Sequence, residues 1–226
     1  MQLAERRRPG GFRRGQSARA MHTPYFRSPF REDFARWKRR AAAPFGRGEP
    51  PRRRRSYCIV TAQVLLAVPP IKCYSDLRAM TPKERHHHFF EFINPRLFAL
   101  CCRICEATGM DDEVLGQSRY QDLLAFYEEQ VGLGFWHPSL SETVADFTAA
   151  QDDVAAIPYY RLALEQAHAL DDDTHTILIA MAESLADVGQ FEQAEACLRD
   201  GRAEAVRRGA DDEVQDADRV LRKLSA

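Results

Sequence analysis

The stretch Leu178-Ile-Ala-Met181-Ala182-Glu-Ser-Leu185-Ala-Asp-Val-Gly189-Gln-Phe191-Glu-Gln-Ala194-Glu-Ala-Cys-Leu198-Arg-Asp-Gly201 reads as two helices joined by a tight turn. Large apolar residues recur at helical spacing at Leu178, Met181 and Leu185, and again at Leu198. Gly189-Gln190 separates the two runs, and so short a connection leaves the helices antiparallel. Small residues fall at Ala182, Ala194 and Gly201, where they let two helices approach while the large ones fill the space above and below.

The same grammar extends outward. Apolar periodicity and turn residues predict helices over 113–131, 139–150, 154–170, 174–188, 191–208 and 212–224. Upstream, Thr81-Pro82-Lys83-Glu84 has the form of a capping box, with Thr81 as N-cap, Pro82 at the first helical position and Glu84 at the third. Phe89, Ile93, Leu97, Cys101 and Cys105 then mark one stripe, filled in by Phe90, Leu100 and Ile104. Asn94-Pro95 within it predicts a second helix start capped by Asn94, and Gly109 predicts the stop. Three helix tails look alike, over 104–113, 164–173 and 203–213, each ending in acids suited to the positive end of the next helix. No strand pattern competes.

The residues from Leu178 to Gly201 resemble the tetratricopeptide repeat. That family places large, large, small and large residues where Leu178, Met181, Ala182 and Leu185 stand. A turn glycine and an aromatic (Gly189, Phe191) follow, then small, large and small residues at Ala194, Leu198 and Gly201. A weaker copy lies 38 residues earlier, with Leu140, Val144 and Phe147 in its first helix and Ala156, Tyr160 and Ala163 in its second. It departs from the pattern at Gln151, at the large Val144, and at Pro158, which is expected to delay or kink the second helix. The spacing resembles the longer-helix variants, and a looser third copy surrounds Tyr120, Leu123 and Tyr127, so the resemblance covers about 113–226.

The resemblance implies a short all-α solenoid of stacked antiparallel hairpins that binds a protein partner and catalyses nothing. Groove-facing positions carried over from the family are Thr176, Ile179, Glu183 and Asp187 in the better repeat and Ser141, Ala145 and Thr148 in the weaker one. With acids dominating this part of the chain, a basic or amphipathic partner segment fits best. Few repeats bury little core, which allows a homodimer. The last helix, with Val214, Ala217, Leu221 and Leu224 as a thin apolar line, suits a cap on the stack.

Other constellations carry less. His86-His87-His88 with Cys101, Cys102 and Cys105 invites a metal, but consecutive histidines point to different sides of a helix, and Cys101 and Cys105 lie on the apolar stripe. No metal or other cofactor is therefore expected, and a small helical metalloprotein stands only as an alternative to the docking role. Asp111-Asp112, Asp152-Asp153 and Asp171–Asp173 lack the frame of a calcium loop and sit where helices need caps. Trp136, ahead of His137-Pro138, is expected to bury between helices. There is no nucleophile elbow and no phosphate loop.

Residues 1–79 stand apart from 80–226. Residues 1–55 hold 16 arginines and one lysine against four acids, whereas 56–226 hold 15 bases against 29 acids. The first segment has too little apolar periodicity to offset its ordering entropy and reads as disordered. Its Arg6–Arg8 and Arg52–Arg55 clusters suit phosphates, the charge alone suits a transit peptide, and Tyr57–Val68 after Arg52–Arg55 suits a signal peptide. A start-site extension or a tail without a role is favoured over these, because good local grammar begins abruptly at Met80. The apolar run from Tyr57 to Ile71 is too short to cross a membrane. Six cysteines, clustered rather than spread, fit reduced thiols and a cytoplasmic chain better than a disulfide framework.

Overall fold

The computed structural model describes residues 74–225; the Arg-rich segment and the apolar run after it lie outside the described residues. A 3-10 turn (Tyr74–Ala79) leads into α1 (Pro82–His88), a π-helical turn (Phe89–Ile93) and α2 (Asn94–Gly109). There follow α3 (Glu113–Gly132), α4 (Pro138–Ala149), α5 (Asp153–Leu170), α6 (His175–Asp187), α7 (Phe191–Arg208) and α8 (Asp211–Leu224). No strand occurs among the described residues.

Local chemistry explains most boundaries. At the start of α1 the capping box is complete: Glu84 N–H donates to Thr81 Oγ1 at 3.3 Å and Thr81 N–H donates to Glu84 Oε2 at 2.9 Å. Asp112 and Asp152 accept from Leu115 N–H at 2.9 Å and Ala155 N–H at 3.1 Å, capping α3 and α5. The third acidic group behaves otherwise. Asp172 Oδ1 accepts Asp173 N–H, Asp173 pairs with Arg208 at 2.8 Å, and α6 has Thr174 as N-cap without a side-chain bond.

The three similar tails share one closure. Asp111, Asp171 and Gly209 take left-handed backbone at φ 54°, 54° and 68°. The next N–H reaches back five residues, Asp112 to Ala107 O, Asp172 to Ala167 O and Ala210 to Ala205 O. Gly109 is thus the last helical residue of α2 rather than its terminator; Asp111 reverses the chain, using the tolerance of Asp for this conformation.

Two expectations about proline are corrected. Asn94 caps nothing: its backbone is helical, at φ −57° and ψ −40°, and the chain continues without a break from Pro82 to Gly109. Pro95 lacks an N–H and would crowd the carbonyl of Glu91; a π turn, with Asn94 N–H donating to Phe89 O, widens the ladder immediately before it. Pro158 does not delay α5, which begins at Asp153 and runs through the proline to Leu170. The carbonyl it deprives of a helical donor belongs to Val154, an exposed residue of the first turn.

Packing follows helix hairpins. The pairs α4–α5, α6–α7 and α2–α3 make the most extensive contacts; α5–α6 and α7–α8 link successive pairs, and the α3–α4 join is the thinnest. Ala182 and Ala194 are fully buried in one core with Tyr160, Met181, Leu185 and Leu198. Gly201 marks a close approach, because a Cβ there would lie 3.1 Å from His175 O, Leu178 Cβ and Ile179 Cγ1. Stacked helices of this kind are compatible with a helical-repeat fold. In α8 the line expected through Val214, Leu221 and Leu224 is only half-buried, and Ala217 and Val220 enter the core.

Candidate functional site

Alternation of direction sorts the turns onto two rims. The α2–α3, α4–α5 and α6–α7 turns lie at one rim; the α3–α4, α5–α6 and α7–α8 turns lie at the other.

Of the seven groove positions, five are buried within the chain. Ser141 Oγ donates to Gln166 Oε1 at 2.9 Å, joining α4 to α5. Thr148 Oγ1 donates to Val144 O, so Tyr120 OH donates to Thr148 Oγ1 at 2.9 Å, joining α3 to α4. Ala145 and Ile179 belong to the apolar core, where α8 closes over α6 with Ala217 and Val220, and Thr176 is buried beside them in sequence. Asp187 remains exposed; half-buried Glu183 meets Arg219 of α8 at 3.5 Å. These side chains mostly hold helices together.

Four exposed large apolar side chains stand on the first rim, whereas Phe90, Phe98, Val131, Leu162 and Val206 are exposed elsewhere. Val114, Val154 and Phe191 are 82%, 65% and 60% exposed, and Met110 is also exposed. Each of the first three occupies the first or second position of α3, α5 or α7, so the rim repeats one large apolar side chain per hairpin. Around them stand Asp111, Asp112, Glu113, Asp152, Asp153 and Glu192, with no Lys or Arg within 110–114, 150–154 or 188–192. The apolar stripes of the sequence do not point to this surface. The signal was present as a Val or Phe immediately after each hairpin turn, a place where a buried-face pattern does not require one.

The second rim holds a packed polar cluster. His137 is buried; its ring stacks on Phe89 at 4.0 Å between centroids, and its Nδ1 accepts Ser139 N–H at 3.2 Å, capping α4. That bond assigns the neutral tautomer: the remaining proton sits on Nε2 and is donated to His86 Nδ1 at 3.0 Å. Burial, with His86 and Arg85 adding, pushes the His137 imidazole well below its usual range and keeps it uncharged at neutral pH. Asp172, at the α5–α6 turn, completes a set in which one ligand atom from each of His86, His137 and Asp172 lies within 4.8 Å of the others.

Arg85 is buried beside this cluster. Its guanidinium donates to Leu77 O and Trp136 O, each at 3.1 Å, and lies 4.0 Å from the centre of the Trp136 ring. Trp136 itself is only half-buried; Phe135 and His137 are the residues of that turn that enter the interior. The three histidines diverge as helical geometry requires, with His88 turned to Phe92 and Phe135 rather than to His137. Cys101 is buried, and burial raises its thiol well above the usual range and that of Cys105 to about 12, so both stay protonated packing groups.

No protein-family model matches the chain, and no curated protein or solved structure matches it either. No helix among the described residues is long and apolar enough to cross a membrane.

Proposed function

We propose that this chain is a non-catalytic docking scaffold, similar to the tetratricopeptide repeat proteins, that holds a basic amphipathic segment of a partner protein along its first rim. One observation supports it most: the recurrence of an exposed apolar side chain, flanked by acids, at the start of α3, α5 and α7. Scattered apolar residues on a surface need no explanation, but a row repeated once per hairpin offers spaced pockets of contact. The surrounding carboxylates favour a cationic partner and steer its approach. Burial of Ser141, Ala145, Thr148, Thr176 and Ile179 supports a surface on this rim over the groove that the family uses.

The test is capture from native extract by three forms of the chain: unchanged, Val114→Asp/Val154→Asp/Phe191→Asp, and Glu183→Lys/Asp187→Lys. A specific partner retained by the first and third and lost by the second is the expected result, weakening as salt rises from about 0.05 to 0.5 M. Loss only with the third form returns the surface to the groove. Equal capture by all three removes both.

The charge of residues 1–55 supports a second role, contact with nucleic acid through the arginine clusters. Steeply salt-dependent DNA binding that disappears on deleting residues 1–79 is its expected signature.

A further inference from the structure

We propose that His86 Nδ1, His137 Nε2 and a carboxylate oxygen of Asp172 form a site for one divalent metal ion of the zinc class. Bound there, the ion would staple α1 to the turns on either side of the α4–α5 hairpin.

The donor set comes from three separate places in the chain: α1, the turn entering α4, and the turn leaving α5. Two imidazoles and one carboxylate are a donor set that zinc accepts, with a fourth position left for water. The two ring nitrogens already face each other at 3.0 Å, so small adjustments of the rings let both reach an ion at about 2.0–2.1 Å, and the Asp172 carboxylate closes in from within 4.8 Å. Their orientation is well fixed, since the His137 ring is stacked on Phe89 and lies edge-on to His86 at 4.9 Å. Asp172 supplies negative charge beside the two rings, and the guanidinium of Arg85 is held over Trp136.

Coordination carries a defined proton rearrangement. In the metal-free chain His137 holds its proton on Nε2. The ion takes the Nε2 lone pair, and the ring proton leaves Nε2 and returns at Nδ1 by exchange with water. The ring stays neutral and no proton is lost overall. Ser139 N–H then faces a protonated Nδ1 and loses its acceptor, so binding trades the cap of α4 for the metal. A cluster built only for packing has no reason to undergo this exchange.

The experiment uses the full chain, freed of metal with a chelator, titrated with Zn2+ and with Co2+ alone. The expected result is one equivalent bound at the cluster, a visible Co2+ d–d band, and a raised midpoint of thermal unfolding. Nitrogen-15 NMR should show the His137 proton moving from Nε2 to Nδ1, with the Ser139 amide shifting alongside. His86→Gln and Asp172→Asn alter partly exposed side chains, and the amide introduced by Asp172→Asn keeps an oxygen for Asp173 N–H, so both variants are expected to fold. Loss of an outer-shell partner alone weakens metal binding about 10–100-fold, so each variant should lose at least about tenfold. Failure to bind either ion overturns the proposal. So does binding that is unchanged in Asp172→Asn, because the adjacent histidines of α1 would then account for it.

Discussion

Gly201 shows how much of this architecture depends on one missing side chain. Its α-carbon faces His175 O, Leu178 and Ile179 so closely that a Cβ would sit at 3.1 Å from all three. Valine there would push α6 and α7 apart at this close contact. Overpacking of this kind costs about 1–3 kcal/mol, while the better helix propensity of Val returns only a few tenths of that. Urea denaturation of Gly201→Val should therefore show a loss of about 1–3 kcal/mol; an unchanged midpoint would mean that the pair is not closely packed here. The small positions Ala182, Ala194 and Gly201 were legible in the sequence because closeness leaves a mark in residue size. The His86–His137–Asp172 cluster was not. Its members are 51 and 35 positions apart, and nothing local in a charged helix start or an acidic turn announces their meeting.

At the level of elements, each predicted helix from 113 onward is present within a residue or so of its expected ends, because caps and turns encode themselves over four or five positions. What the faces of those helices meet depends on the neighbours, which is why five of the seven groove positions are buried while Glu183 and Asp187 are not. The last helix illustrates the tertiary part. Arg202 Nε donates to Asp218 Oδ1 at 2.6 Å, tying α7 to α8. That hydrogen bond holds the Asp218 carboxyl below its ordinary value. A depressed folded value makes the contribution full above the ordinary carboxylate range near about 4 and removes it as pH falls through the lower folded value. The stability difference between the unchanged chain and Arg202→Gln should accordingly be flat around neutrality and shrink only in acid below about pH 4. A difference that instead grows in acid would show that the carboxylate is not what Arg202 stabilises.

Across the whole of the described chain, cohesion is uneven. Hairpins α4–α5 and α6–α7 share a continuous core, whereas α2–α3 meets the rest chiefly through the sparse α3–α4 join. The Tyr120–Thr148 hydrogen bond crosses that seam. Tyr120→Phe removes a donor and leaves no orphan, because Thr148 Oγ1 still donates to Val144 O, so the loss should be about 0.5–1.5 kcal/mol. Hydrogen exchange should report the seam directly: amides of α2 and α3 are expected to open at lower free energy than those of α5 to α7, and more so in Tyr120→Phe. Uniform protection from α2 to α7 would contradict that order.

The π turn at Phe89–Ile93 has a consequence for angular phase. Phe89, Ile93, Leu97 and Cys101 are all buried at strict intervals of four, a period that an unbroken α-helix carries around its axis by about 40° at every step. The wider turn takes up part of that drift at the start of the series. It thereby sets the direction in which His86 and His88 leave the rod relative to the cysteine stripe behind them. Removing a single residue between 89 and 93 would swing everything upstream by about 100°, and carry His86 out of reach of His137 without touching either histidine.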